Sequence, residues 1–216
     1  MPTAGLADVE TVVQVIAMVA VDNEKYFGEL DAVVGDGDFG YSMARGFELV
    51  LDDWDNFDRT DIGTFLKKIA VVITSRIGGT SGPIWGTAFL RAGVAAGTAD
   101  RLEPDQIVAM LRAAIAGIKA RGKSDVGDKT LLDALVPAVD TIEEQIAEGQ
   151  PAAKTLRAAA ATARTQAEAT RPMLAKRGRA AYTGERSIGT LDAGAVAVAV
   201  MFEALADLWA KRLPQP

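Results

Sequence analysis

Cysteine and histidine are both absent from the 216 residues. The first absence excludes disulfides, thiol nucleophiles and thiolate metal sites. The second removes imidazole bases, phosphohistidine chemistry and nearly every zinc or iron site. Any bound metal must then be a hard one held by carboxylates: Mg²⁺, Ca²⁺ or Mn²⁺. Positive charge is also in deficit, with 23 Lys and Arg against 29 Asp and Glu, a net charge of −6 and a pI near 4.8. That balance argues against nucleic acid and anionic membrane as partners, because both select for clustered positive charge. Asp8 and Glu10 stand where a signal peptide would carry its basic segment. The apolar stretch 193–206 is interrupted by Glu203, so no membrane span is expected and a soluble cytoplasmic protein is.

What is present is the composition of an ordinary folded protein, 49% apolar and 24% charged with mean hydropathy +0.13. No internal repeat and no linker rich in Ser, Gly or Pro divides the chain, so one domain over 1–216 is expected. Apolar residues recur three and four apart almost throughout, the spacing of a helical stripe. Leu6, Val9, Val13, Ile16 and Ala20 predict a first helix to about Leu30, and Met43, Phe47, Val50 and Leu51 a second after Gly40. Asp61 reads as the N-cap of a third, which Gly78-Gly79 ends. A fourth spans Ile84 to Ala96, a fifth opens at Pro104, a sixth is capped by Asp128, and a seventh runs from Pro151 to about Ala169. The eighth, Ala195 to Leu213, is so apolar that protein must surround it. With no recurring strand pattern, the expected class is all-α.

The helices do not explain the glycines, which gather in four connecting segments, 35–40, 78–82, 122–127 and 178–194. The first carries Asp31, then Gly35-Asp36-Gly37-Asp38-Phe39-Gly40. An Asp-Gly-Asp turn alone reads equally as a solvated turn; the third Asp and the apolar flanks favour a cation, since crowded carboxylates repel. An EF-hand is excluded, because Phe47 falls where the bidentate Glu must be, and Mg²⁺, which keeps water and phosphate in its shell, fits better. Gly78-Gly79-Thr80-Ser81-Gly82-Pro83 runs straight into a helix and offers either an anion site or a plain Ser81 cap.

Residues 117–124 match the Walker A pattern letter for letter, but they continue a helical register and follow no strand, so a P-loop is not expected. Gly122, Gly127, Asp128 and Thr130 can still border a nucleotide in another geometry. Arg171, Lys176, Arg177, Arg179 and Arg186 reverse the charge of this acidic chain locally. Surface ion pairs explain most of them, but a guanidinium can also grip a transferring phosphoryl group. At the end of that segment Thr190 or Asp192 can cap the last helix, and Asp192 can equally meet a ribose or a base.

Taken together these motifs are the parts of a phosphoryl-transfer site. The Asp31 to Gly40 run, GGTSGPIWGT at 78–87, RGKSDVGDKTLLDALVPA at 121–138 and RGRAAYTGERSIGTLDAGA at 177–195 closely resemble, in order, the L subunit of dihydroxyacetone kinase. The resemblance implies an eight-helix antiparallel barrel with a nucleotide at one end. It implies two Mg²⁺ ions on Asp31, Asp36 and Asp38, and ADP or ATP against Phe39, Gly40, Tyr41, Ser42, Thr80, Ser81, Gly122, Leu131, Arg179, Asp192, Ala193 and Gly194. Arg179 is the residue expected to act catalytically. The chain departs from the family at Phe39, where a His is usual, and at 189–194, where Gly-His-x-Asp-Pro-Gly is usual. In that family the hydroxyketone is held covalently by a His of a separate K-type subunit or domain, which a chain without histidine cannot supply. The expected partners are therefore that subunit and a phosphoryl donor of the phosphotransferase system, with a homodimer as a further option. An ATP-dependent split ketose or tetrulose kinase, and a non-catalytic nucleotide- or metal-sensing subunit that binds a regulator, are the alternatives.

Overall fold

The stripes of apolar residues become buried helix faces in the computed structural model, which describes residues 3–212. Its helices are α1 (Leu6–Asp22), α2 (Glu24–Ala32), α3 (Asp38–Asp52), α4 (Ile62–Arg76), α5 (Ser81–Ala96), α6 (Pro104–Gly122), α7 (Leu132–Ala147), α8 (Ala152–Ala169) and α9 (Ala193–Arg212). Short 3₁₀ turns occupy Trp54–Asn56 and Arg179–Ser187. The remaining regular structure is a two-residue antiparallel pairing of β1 (Ala4–Gly5) with β2 (Arg101–Leu102), too small to alter the all-α class.

The expected first helix is divided at Asn23. Its side-chain amide donates to the Val19 carbonyl (2.9 Å) alongside its own backbone N–H (3.1 Å), the local competition that makes Asn a poor interior helix residue. Counting α1 and α2 as one broken helix recovers the expected eight. Three other boundaries shift. α5 begins at Ser81 rather than Ile84, placing Pro83 in its first turn. α7 begins at Leu132, and its first-turn Asp133, not Asp128, takes the preceding amides. α9 begins at Ala193, with Asp192 accepting from the Ala195 N–H at 2.7 Å as the expected cap; Leu213 lies outside the described residues.

From α2 onward each helix packs on the next, α1 packs on α3, and α9 returns to α1 and α2, closing the ring. Phe27, Met43, Phe47, Ile62, Phe65, Ile69 and Ile73 are completely buried inside it. A side chain of that size contributes about 1.5–3 kcal/mol when fully buried. α9 is long and apolar enough to cross a membrane, but Val196, Val198, Met201 and Phe202 are buried against the other helices. Its Glu203 is held by Arg164 through two bonds of 2.7 Å. The up-and-down course brings the C-termini of α2, α4, α6 and α8 together with the N-termini of α3, α5, α7 and α9. Those four N-termini carry partial positive charge. The glycine-rich connections therefore gather at one end of the barrel.

Candidate functional site

The gathered connections line a cleft of about 440 Å³. One wall is built by the turn between α2 and α3. The Gly35 N–H closes onto the Asp31 carbonyl (2.6 Å), and the Gly37 N–H donates to the Asp31 carboxylate (2.9 Å). Gly37 has φ +77°, the left-handed region where a side chain is strained, and it turns the chain directly into α3. Gly40 lets α3 lie against α2, since a Cβ there would collide with the Glu24 carbonyl. Asp31 at the end of one helix, Asp36 in the turn and Asp38 at the start of the next thus offer oxygens all within 4.8 Å of one another. Burial and, to a lesser degree, the neighbouring Asp31 raise the Asp38 carboxyl above its ordinary range. The Arg179 guanidinium spans the cluster, 2.9 Å from Asp38 and paired with Asp36. A hard divalent cation suits three such carboxylates, two of them nearly half exposed.

The opposite wall comes from the other three connections. No side chain caps α5, so its first-turn amides remain available where Thr80 and Ser81 face the cleft. Ser81 is itself helical and is not the cap. Leu30, Val34, Phe39, Ile84, Leu131 and Leu191 supply an apolar lining suited to a flat ring, with Phe39 tilted against Phe27 at a centroid distance of 6.1 Å. Asp192 stands at the start of α9, its N–H bonded to the Thr170 hydroxyl (3.0 Å). Desolvation pushes its carboxyl up to about 7; the Ala195 N–H and Lys129 oppose the rise, while Asp133 and Asp31 add to it.

Twelve sequence-predicted residues line this one cleft: Asp31, Asp36, Asp38, Phe39, Thr80, Ser81, Gly122, Leu131, Arg179, Asp192, Ala193 and Gly194. Three others stand off it. Gly40 is buried in the α2–α3 contact, Tyr41 is exposed beneath the Arg45 guanidinium (5.5 Å), and Ser42 lies near Gly78. The Walker-like stretch is helical through Gly122, and exposed Lys123 closes α6 with φ +48°, so no phosphate loop forms there. Of the basic segment, Lys176 and Arg177 pair with Asp128 and Arg171 with Glu168, as the surface-pair account expects; Arg179 alone reaches the acids. Sequence reasoning missed two buried polar residues, Lys129 in the wall of the cleft and Asp133 behind it. Within the loop Gly127-Asp128-Lys129-Thr130, Lys129 takes φ +60°, an angle no sequence pattern announces.

A family model described as the DAK2 domain matches residues 33–207. The chain belongs to the DAK2-domain family. This DAK2 chain is 38% identical over 182 residues to the PEP-dependent dihydroxyacetone kinase, ADP-binding subunit DhaL, of Escherichia coli (strain K12), covering 84% of the chain and 87% of that protein. It is 33% identical over 206 residues to the D-erythrulose kinase of Mycolicibacterium smegmatis, covering 94% of the chain but 36% of that longer protein. Among solved structures, the dihydroxyacetone kinase from C. freundii in complex with AMP-PNP and Mg²⁺ superposes with a TM-score of 0.74 at 29% identity, over 96% of this DAK2 chain and 35% of that one. The resemblance drawn from the four sequence blocks is borne out, and with it the all-α fold.

Proposed function

We propose that this DAK2 chain, a single domain over 1–216, is the nucleotide-binding subunit of a dihydroxyacetone or related ketose kinase. It passes a phosphoryl group from bound adenine nucleotide to a hydroxyketone held by a separate K-type subunit. The observation that carries the reading is the meeting of Asp31, Asp36, Asp38 and Arg179 in one cleft ringed by four helix N-termini. Asp31, Asp36 and Asp38 would hold Mg²⁺, two ions in our reading, which supplies charge neutralisation to the diphosphate. The apolar lining near Phe39 and Leu131 would take the base, and the Ser81 end of α5 would donate to phosphate oxygens. Arg179 donates to the oxygens of the transferring phosphoryl group, where negative charge develops. The hydroxyl oxygen of the ketose would form the new P–O bond as the bond from that phosphorus to the ADP oxygen breaks, ADP leaving as the Mg²⁺-bound diphosphate and the hydroxyl proton passing to solvent or to a base of the K-type subunit.

The near end-to-end match with a PEP-dependent subunit supports a phosphotransferase-system protein as the donor that recharges bound ADP. Similarity to erythrulose kinases favours, as the second reading, an ATP-dependent kinase of split architecture acting on a tetrulose. Loss of one of the three aspartates would favour a purely sensing subunit, and none is lost. The reading places the protein in the cytoplasm. Native mass spectrometry of the purified chain with Mg²⁺ tests it: ADP is retained, and Asp36→Ala loses it. Absence of binding by calorimetry at millimolar Mg²⁺ and ADP would overturn it.

A further inference from the structure

Lys129 is the most deeply buried cation of the described residues, 3% exposed, and it sits in the wall of the cleft. Its ammonium donates to the carbonyls of Met173 (3.1 Å), Ser187 and Thr190 (2.8 Å), and lies 3.2 Å from the Thr190 hydroxyl. These acceptors come from both ends of the long connection between α8 and α9, the segment that carries Arg179 midway and Asp192 at its close. An ammonium has three donors and no acceptor, and burying one is tolerated only when those donors are satisfied. Here neutral carbonyls satisfy them, so no carboxylate pair ties the charge down.

The chain spends energy to place this group. A non-glycine residue with φ +60° is strained by about 1 kcal/mol. Asp133 in the first turn of α7 holds the strained loop, accepting from the N–H groups of Gly127 (2.5 Å) and Thr130 (2.7 Å) on either side of Lys129. Burial lowers the ammonium's affinity for its proton, nearby Arg171 adds to this, and Asp192 opposes it. The other ties between the two loops join Lys176 and Arg177, each about half exposed, to the Gly127 carbonyl and to Asp128.

We propose that Lys129 is a positioning residue of this site: it anchors the α8–α9 connection to the rigid start of α7 and so fixes where Arg179 and Asp192 stand in the cleft. The proposal deepens the phosphoryl-transfer reading and rests on it for the consequence to catalysis. It explains why an arginine on a 23-residue connection, 170–192, can stand at a defined place over the acids. An anchor with several fixed acceptors limits the loop in a way that a single exposed ion pair does not.

The test pairs hydrogen exchange with a double-mutant cycle on the complex with its K-type partner. In Lys129→Met, amides of 173–190 are expected to exchange at least about tenfold faster, with those of α4 and α5 unchanged. Per folded molecule, kcat is expected to fall about 30-fold in the wild-type background but less than about threefold in the Arg179→Ala background, because Lys129 acts through Arg179. Lys129→Arg, which keeps a donating cation, should recover most of the loss. If Lys129→Met does not fold, Thr190→Val removes one acceptor and is read by the same cycle. Unchanged exchange, or an equal cost in both backgrounds, overturns the proposal. A wild-type chain that takes up no Mg-ADP would overturn the functional reading instead, while the exchange comparison, which uses no nucleotide, still decides the anchoring role.

Discussion

The connections at the two ends of the barrel each hold an arginine against acid, and the two arginines do opposite things. Arg59, in the connection between α3 and α4, pairs with Glu10, donates to the carbonyls of Phe57 and Trp54 (2.8 Å each), and lies 5.5 Å from the Trp54 ring and 5.6 Å from Phe65. Trp54, Phe57 and Phe65 pack edge-on around it. An acid, two carbonyls and two rings of the fold engage that guanidinium. Arg179, nearly half exposed, pairs among the described residues with Asp36 and Asp38, which belong to a mutually repelling cluster. A cation whose partners are carbonyls and rings holds structure together; one standing over crowded acids at a cleft is available to a ligand. Glycine follows the same division: 12 of the 21 lie in the four cleft-side segments, whose tight turns bring backbone amides to the opening.

The sharpest way to test the contrast is to remove each guanidinium in turn. Arg179→Ala should lower kcat of the assembled kinase by about 10²- to 10³-fold, the usual consequence of deleting a donor to developing charge, while Tm moves by less than about 2 °C. A fall in Tm without a fall in kcat would reverse its assignment. Arg59→Ala should do the opposite. It leaves Glu10 and two carbonyls without their partner and strips a ring cluster, so urea unfolding should register a loss of about 2–3 kcal/mol, with kcat per folded molecule unchanged.

A smaller effect separates the two ends by pH. Asp192 is pushed up to about 7 in the folded protein, above the ordinary carboxyl value it regains on unfolding. The folded state therefore holds that proton more tightly. Its contribution to stability is present at low pH, is lost as pH rises from about 4 to 7, and is level above. Asp192→Asn should flatten this slope, gaining on the wild type by roughly 2 kcal/mol between pH 5 and 8 in urea titrations. The smallest effect belongs to Lys123, the lysine of the Walker-like stretch. Lys123→Ala should leave Mg-ADP affinity within about twofold by calorimetry, because that residue ends a helix and does not line the cleft.

Much of the site was legible because its chemistry is local. Asp31, Asp36 and Asp38 fall within eight residues, and the intervening glycines already exclude a continuous helix. Helix existence was legible from the three-and-four spacing of apolar residues, and the Walker-like match could be set aside on its register alone. Boundaries were not. Asp128 has the residue type of an N-cap, yet its side chain serves Lys176 and Arg177 from a connection some fifty residues later, while Asp133 takes the amides before α7. Asn23 divides a helix whose apolar stripe runs on past it. Lys129 was invisible for the same reason: its partners are the carbonyls of 173, 187 and 190, and backbone acceptors leave no mark on composition.

By itself, the sequence determined the helical class, the carboxylate-only choice of metal ligand and the identity of the groups that can meet phosphate. Each of these follows from side-chain chemistry or from periodicity within one segment. Only the tertiary structure decided which of five neighbouring cations stands over the acids and which residue holds it there. Closing the ring sets residues far apart in the chain within hydrogen-bond reach, and a contact between distant segments is fixed by the packing of all the helices rather than by the residues on either side of it.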